Sequence, residues 1–445
     1  MQRTKDTDKN RDKIRVQWAA RHTQRVIIEG LEPQLYKLIK SSGNNAQTII
    51  DYVNSVRNEI STSHSYERNN IKALVYLSKF HSNKKFKTID KHDILLFLNS
   101  KRKSEEADPL HSWIATYNLY IVLLTRFFKW LYQPDLSPKE RSKPSCVDIA
   151  RLRRKEQSVY KPTDMWTQED DLLFLKYCSS KRDKCYHAIS RDSSCRPHEL
   201  LKLKIKDVVF KVAGDRQYAE ILVNGKTGQR HIPLINSLPY LKDWLDDHPQ
   251  SSNPTAILVC GFSKSSGRQL RIESINHTYS NYKNKIFPKL LDDPNIPIDD
   301  KAKIRELLKK PWNPYVRRHS ALTEKSKILK ESTLRQHAGW TPNSNMHQRY
   351  VHYFGNESNE SILEAYGLKT KLEEINKLKP VSCPNCGELN KIDSKFCIKC
   401  RMVLSYDAYT EAVHDKEQQE STMQSLQQQM DKFKLEVDRM KKRKK

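Results

Sequence analysis

Tyr218-Ala219-Glu220-Ile221-Leu222-Val223-Asn224-Gly225-Lys226-Thr227-Gly228-Gln229-Arg230-His231-Ile232-Pro233-Leu234 reads as two strands joined by a tight turn. Tyr218 to Val223 and Arg230 to Leu234 are β-like runs, and the Gly-flanked segment from Asn224 to Gly228 between them is a hairpin signal. A third β-like run, Val208 to Val212, precedes them. The surroundings follow helical spacing instead, with helices expected at 168–180 and 196–204 and again from beyond Leu234 to about 368. A small sheet set among helices makes 166–370 a mixed α+β domain.

Upstream, residues 133–165 hold Pro134, Pro138, Pro144 and Pro162 around the basic run Arg151 to Lys155, the composition of an extended basic linker. Before it, 30–132 carries four amphipathic patterns and no strand. Ile49, Ile50, Val53, Val56 and Ile60 form the first, and Ile71, Leu74, Leu77 and Phe80 the second. Asp90 is placed to cap a third helix with Ile94, Leu95, Phe97 and Leu98. Ile114, Tyr117, Ile121, Leu124, Phe128 and Leu131 mark the fourth. Residues 1–29 read as a basic arm. Downstream lie a cysteine cluster at 380–405 and a polar helix with a basic tail at 412–445. No solenoid repeat interrupts this order. The expected fold is multidomain and mainly α with a small β-sheet.

The 445 residues carry 80 Lys+Arg against 53 Asp+Glu, a formal charge of 80 − 53 = +27, with only 37% hydrophobic residues. The most apolar stretch, Asn118 to Tyr132, is interrupted by Arg126 and Lys129 and is too short to span a bilayer. The first thirty residues are too polar for a secretory signal. The expectation is a soluble intracellular protein, away from membranes, whose positive field meets nucleic acid.

Of nine cysteines, Cys146, Cys178, Cys185, Cys195 and Cys260 stand singly, as buried thiols do. Cys383, Cys386, Cys397 and Cys400 form C-x2-C-x10-C-x2-C, the spacing of two knuckles around a structural Zn2+ with all four positions filled by thiolates. Gly387 lets backbone amides approach the sulfurs. Lys391, Lys395, Lys399 and Arg401 surround this ribbon, a basic rim suited to DNA or to a protein contact.

Four constellations remain. Arg196 opens an apolar-periodic helix through Leu203, where amides and a guanidinium both address an anion, and Glu199 stands one turn on to orient that guanidinium. Lys226 sits at the hairpin tip, a candidate proton donor. Tyr315 and Arg318 lie three apart on one helix, followed by His319. Last comes His337-Ala338-Gly339-Trp340-Thr341-Pro342-Asn343-Ser344, leading to Arg349-Tyr350-Val351-His352.

In this order the motifs resemble the tyrosine site-specific recombinases, the phage integrase family. The matching residues are Arg196-Pro-His-Glu199-Leu200, Gly225-Lys226, Tyr315-x-x-Arg318-His319, Gly339-Trp340 and Tyr350, and the Gly-Trp-Thr-Pro-Asn-Ser run looks like the archaeal branch. The resemblance covers about 40–368 and implies an all-α core-binding domain of SAM-like type, a basic connection and a catalytic domain. It further implies double-stranded DNA as substrate, a 3′-phosphotyrosine on Tyr350, and a homo-tetramer acting on two duplexes. Arg196 and Arg318 would clamp the phosphate, and Lys226 would protonate the leaving 5′-oxygen. Tyr315, His319 and Trp340 would line the pocket. No metal is needed for that step, because two guanidinium groups supply the electrostatics.

The sequence departs from the family pattern in two places. Tyr315 stands where an imidazole is usual, which changes proton handling there. Trp340 to Tyr350 is ten residues rather than nine, so Tyr353 rivals Tyr350 as nucleophile and His337 rivals Trp340. The expected function is a site-specific recombinase, an integrase of a mobile element or virus of archaeal type; a chromosome-dimer-resolving recombinase, a type IB topoisomerase and a DNA-binding protein without catalysis are the alternatives. A nucleoid-associated, cytoplasmic location goes with all four.

Met423, Leu426, Met430, Phe433, Val437 and Met440 alternate by three and four, the seam of a short coiled coil. Such a helix pairs subunits, holds accessory proteins, or packs on its own chain. Arg439 to Lys445 form a basic tail.

Overall fold

The computed structural model describes residues 38, 41–154, 160–214, 216–225, 228–262, 265–351, 363, 366, 376–405, 408–410, 413, 418, 420–430 and 432, with backbone only at 64, 349 and 351. The basic arm, Lys226, Tyr353, the seam residues Phe433, Val437 and Met440, and the basic tail lie outside the described residues. Two compact units divide the chain, residues 1–159 and 160–445.

Unit 1 holds four helices, α1 (Gly43–Glu59), α2 (His64–Phe80), α3 (Lys91–Asn99) and α4 (Trp113–Tyr132). Each buries the stripe its spacing marks out. Ile49, Val53, Leu74, Leu77, Phe97, Leu98, Leu124 and Phe128 meet in one core. Asp90 caps α3, its carboxylate accepting from the Asp93 N–H at 2.9 Å. The proline-rich segment after α4 is irregular but not detached from a core. Cys146 and Val147 enter the helical core. Asn118 bonds both the N–H and the carbonyl of Leu152. Arg141 clamps Glu59 with two bonds of 2.9 and 2.6 Å. Proline spacing forbids regular structure but says nothing of these side-chain anchors.

Unit 2 begins with α5 (Gln168–Tyr177) and α6 (Lys181–Ser193), followed by the single turn α7 (Pro197–Leu200). Helix α6 places Cys185, Tyr186 and Ile189 in the core and buries Asp183, His187, Ser190 and Arg191 beside them. Strands β1 (Val208–Ala213), β2 (Arg216–Gly225) and β3 (Gly228–Leu234) form an antiparallel sheet in sequence order, with Gly225 opposite Gly228 at the hairpin. Alternate residues Ala219, Ile221, Val223, Ile232 and Leu234 face the core, as period-2 packing requires. Helices α8 (Leu238–Asp246), α9 (Ile272–Asn281), α10 (Phe287–Asp292), α11 (Ile298–Lys309), α12 (Pro314–Ile328), α13 (Glu331–Ala338) and α14 (Met346–Val351) complete the domain. The fold is mainly helical with a small sheet.

At its centre the Asp171 carboxylate is fully buried and shared by His187 (2.8 Å), Arg191 (2.9 Å) and Arg317 (2.5 Å). Arg317 also lies over the Trp166 ring, 4.9 Å from its centroid. Burial opposes ionisation of Asp171, but Arg317 and Arg191 hold its carboxyl down at about 2. This network orients α12, so that Arg317 faces inward and its neighbour Arg318 faces the site described next.

Beyond α14, the two-residue strands β4 (Val381–Ser382) and β5 (Leu389–Asn390) pair, and helix is described over 420–430. Met423, Leu426 and Met430 are exposed there. Among the described residues no helix is long and apolar enough to cross a membrane.

Candidate active site

Three arginines converge on the C-terminal end of α13. That helix closes on Gly339 in the left-handed conformation (φ 64°, ψ 51°), which frees its last carbonyls for outside donors. Arg230 Nε donates to the His337 carbonyl at 3.1 Å, Arg318 Nη2 to Ala338 at 2.8 Å, and Arg196 Nη2 to Gly339 at 3.2 Å. Carbonyls at a helix C-terminus carry partial negative charge and favour cations.

Arg196 precedes α7 and is a quarter exposed at its side chain. Glu199 folds back on it, accepting from the Arg196 backbone N–H at 3.0 Å and from Nη1 at 2.9 Å. The second partner of Glu199 is Arg230, whose Nη2 donates to Oε2 at 2.7 Å. Burial pushes the Glu199 carboxyl up, but Arg230 and the Arg196 amide outweigh it and hold it at about 2. Arg318 is buried, and Nη1 donates to the Ser194 carbonyl. Burial lowers its guanidinium below the usual range, while the nearby Tyr350 phenol pushes the other way.

Tyr350, on α14, is buried with its ring stacked on Trp340 (centroids 5.3 Å apart) and on His319 (5.7 Å). Its hydroxyl lies 3.0 Å from His319 Nδ1. His319 in turn lies against Tyr160, ring centroids 5.2 Å apart. His337, the rival to Trp340, lies beneath the cluster. Burial, then Lys325, Arg230 and Arg318, hold its imidazole down at about 3, so it is neutral at ordinary pH. Trp340 rather than His337 touches the tyrosine.

Arg196, Glu199, Arg318, His319, Trp340 and Tyr350 therefore meet in one place. Tyr315 occupies the exposed first turn of α12, with no bond to this cluster among the described residues. Sequence reading missed Arg230. The signal was present: it shares the phase of Ile232 and Leu234 on β3, and a charge on the buried face of a strand needs partners.

The four ribbon sulfurs lie within 4.8 Å of one another, with Cys383–Cys400 at 3.5 Å and Cys386–Cys397 at 3.6 Å. A tetrahedral zinc with Zn–S bonds of about 2.3 Å needs sulfurs about 3.8 Å apart. The donor set fits. Gly387 and Arg401 take positive φ just after the knuckles, turning the chain around the sulfurs. Burial resists ionisation of Cys397, yet the backbone amides of Cys400 and Lys399 bring its thiol down to about 6. At Cys386 the Glu388 amide pulls downward, but burial and the neighbouring sulfurs push its thiol up to about 12. Two ion pairs seat the ribbon on α8, Lys391 with Asp243 and Lys242 with Glu388. Lys391 is thus engaged within the chain instead of standing on a free basic rim.

No protein-family model matches the sequence, and no curated protein matches it. Solved structures do. The XerH site-specific recombinase bound to palindromic difH substrate, a post-cleavage complex, aligns with TM-score 0.46 and 17% identity over 75% of this chain and 94% of that one. The Tn1549 transposon integrase in complex with transposon right-end DNA gives 0.47 and 13% over 72% and 99%. A lambda integrase dimer bound to a COC′ core site gives 0.45 and 12% over 69% and 77%. The chain is similar, over most of its length, to site-specific recombinases and integrases.

Proposed function

We propose that this chain is a tyrosine-type site-specific recombinase that cleaves and rejoins duplex DNA through a covalent 3′-phosphotyrosyl intermediate. The observation that carries this reading is the pairing of Arg196 and Arg318 on adjacent carbonyls beside a tyrosine hydrogen-bonded to an imidazole. A phosphodiester seated between the two guanidinium groups is neutralised where charge develops in the transition state. The Tyr350 oxygen attacks phosphorus as its proton passes to His319 Nδ1. The P–O5′ bond breaks, and Lys226 is the candidate to protonate the departing oxygen. The products are a 3′-phosphotyrosine and a free 5′-hydroxyl. Attack by the 5′-hydroxyl of a partner strand reverses each transfer and reseals the backbone. Glu199 orients Arg196, and Trp340 holds the ring of Tyr350.

Strand exchange needs two duplexes, so the working form is a homo-tetramer on DNA. The exposed methionine-leucine stripe of the C-terminal helix is a candidate for subunit or accessory-protein contact. Zinc held by Cys383, Cys386, Cys397 and Cys400 has a structural role in the ribbon. An added ribbon and helix suit an integrase of a mobile element, of archaeal type by the Gly-Trp-Thr-Pro-Asn-Ser run, better than a minimal dimer-resolving enzyme.

The test uses a library of nicked duplexes of randomised sequence, on which attack at the phosphate near the nick traps the covalent product. A protein–DNA adduct on a denaturing gel, lost in Tyr350→Phe and kept in Tyr353→Phe, supports the assignment. Absence of adduct from every duplex leaves a DNA-binding protein without catalysis. Relaxation of supercoiled plasmid without site dependence points to a topoisomerase.

A further inference from the structure

Arg230 belongs to none of the roles above, yet it is buried and bonded on two sides within the cluster. Its side chain is 7% exposed. It lies on β3 directly across the ladder from Val223, two residues before the hairpin end at Gly225 on the partner strand. Nη2 is bonded to Glu199 and lies 3.5 Å from Cys195 Sγ, and Nε is bonded to the His337 carbonyl. Two glycines make room for it. A Cβ on Gly225 would come within 2.9 Å of Arg230 Nη1 and 2.5 Å of Glu199 Oε1, and one on Gly339 within 2.7 Å of Nη1. Each glycine adjoins a residue given a catalytic role, Lys226 on one side and Trp340 on the other.

We infer that Arg230 is a positioning residue for the phosphate clamp, fixing Arg196 through Glu199. The chemistry of the contacts carries this. Glu199 has two oxygens and two arginines. Arg230 takes one oxygen from the strand side, which leaves the carboxylate a single orientation in which the other holds Arg196 Nη1. Without Arg230, Glu199 keeps only its bonds to Arg196 itself, and the pair loses its tie to the strand that fixes its direction. A guanidinium suits this task and an ammonium does not, because two acceptors at an angle, one carboxylate and one carbonyl, need a rigid fork of donors. Arg230 is kept from the phosphate: Nε and Nη2 are bonded to protein acceptors, and Nη1 is buried against Gly225 and Gly339.

This inference rests on the phosphoryl-transfer reading. Its test is single-turnover cleavage of an adduct-forming nicked duplex at saturating protein, with DNA affinity and thermal unfolding measured alongside. Arg230→Gln is expected to slow cleavage about 10²-fold, the cost of misplacing a catalytic group, while DNA affinity is unchanged. Arg230→Lys is expected to recover little. The distinguishing measurement is the double variant. Because Arg230 acts through Arg196, Arg196→Lys/Arg230→Gln should cleave no more slowly than Arg196→Lys alone. Multiplicative losses, or a loss matching the unfolded fraction, overturn the positioning role. Should Arg230→Gln fail to fold, Glu199→Gln/Arg230→Met removes both buried charges together. Slow cleavage by that stable pair supports the role, and cleavage at the wild-type rate overturns it. If the wild-type chain forms no adduct at all, it is the recombinase reading that fails.

Discussion

The hydroxyl of Tyr350 lies 3.0 Å from Nδ1 of His319, and the two rings stack with an angle of 25° between them. An imidazole so placed can accept the phenol proton as the oxygen attacks. His319→Leu should therefore slow adduct formation by about 10²-fold, within the range for removal of a general base. Single-turnover cleavage reads this directly, and an unchanged rate would remove His319 from proton transfer.

Gly225→Ala should slow cleavage even though the new methyl lies outside the chemistry. It collides with Arg230 Nη1 and with Glu199 Oε1, and the latter cannot yield without breaking its bond to Arg196 Nη1. Gly228→Ala is the informative comparison: nothing lies near its Cβ position, so its cost is the backbone strain at φ 106° alone. Equal cleavage by wild type and Gly225→Ala would show that the clamp tolerates displacement.

Acid should destabilise the second unit in two steps. Burial and the Arg317 charge hold His187 neutral down to about 4, below its ordinary 6.5. The unfolded chain thus takes up that proton first, and stability falls as pH drops from about 6.5 toward 4. Asp171, held at about 2 against an ordinary 3.8, contributes stability above pH 3.8 that is lost as pH falls toward 2. His187→Gln should flatten the first step of a melting-temperature profile, leaving the share due to His337. Asp171→Asn should cost about 3–5 kcal/mol at neutral pH, because it leaves Arg317 buried without its carboxylate. A flat profile from pH 7 to 4 in the wild type would contradict the assignment.

Metal analysis should find about one zinc per chain, lost in Cys383→Ser. Since Lys242–Glu388 and Lys391–Asp243 seat the ribbon on α8, chelation should expose 381–403 to protease while the sheet of unit 2 stays protected. Metal-free protein with an unchanged digestion pattern would argue against a zinc-built ribbon.

Glu59→Ala should destabilise unit 1 by about 2 kcal/mol, the value of a charge-assisted bond with a buried partner left behind. Arg141 is 6% exposed and has Glu59 as its carboxylate. Denaturant unfolding of the full chain measures the effect, and no change in the unit 1 transition would deny that the proline-rich segment is anchored.

The helices of unit 1 and the hairpin of unit 2 were legible because their apolar spacing has one explanation each. The segment around Arg196, Arg318 and Tyr350 was legible as ordered motifs. Two things were not. Helix α6 buries Asp183, His187 and Arg191 beside its apolar residues, and that burial depends on partners distant in sequence such as Asp171. Arg230 shares the inward phase of Ile232 and Leu234, but only the meeting of β3 with α7 and α13 reveals its acceptors. Tyr315 shows the reverse. Its helical spacing from Arg318 predicted a shared face, whereas the backbone places Arg318 inward and leaves Tyr315 exposed.

The last three carbonyls around the end of α13 go to three different arginines, and the chain that follows them carries Trp340 and then Tyr350. The three bonds share one short turn, so a displacement of Gly339 moves all three acceptors together. Losing one side chain loosens one contact, whereas unwinding that turn loosens three at once and shifts the segment that carries Trp340 and Tyr350. The turn at Gly339 is thus the shared hinge of the centre, where a single disturbance reaches every arginine.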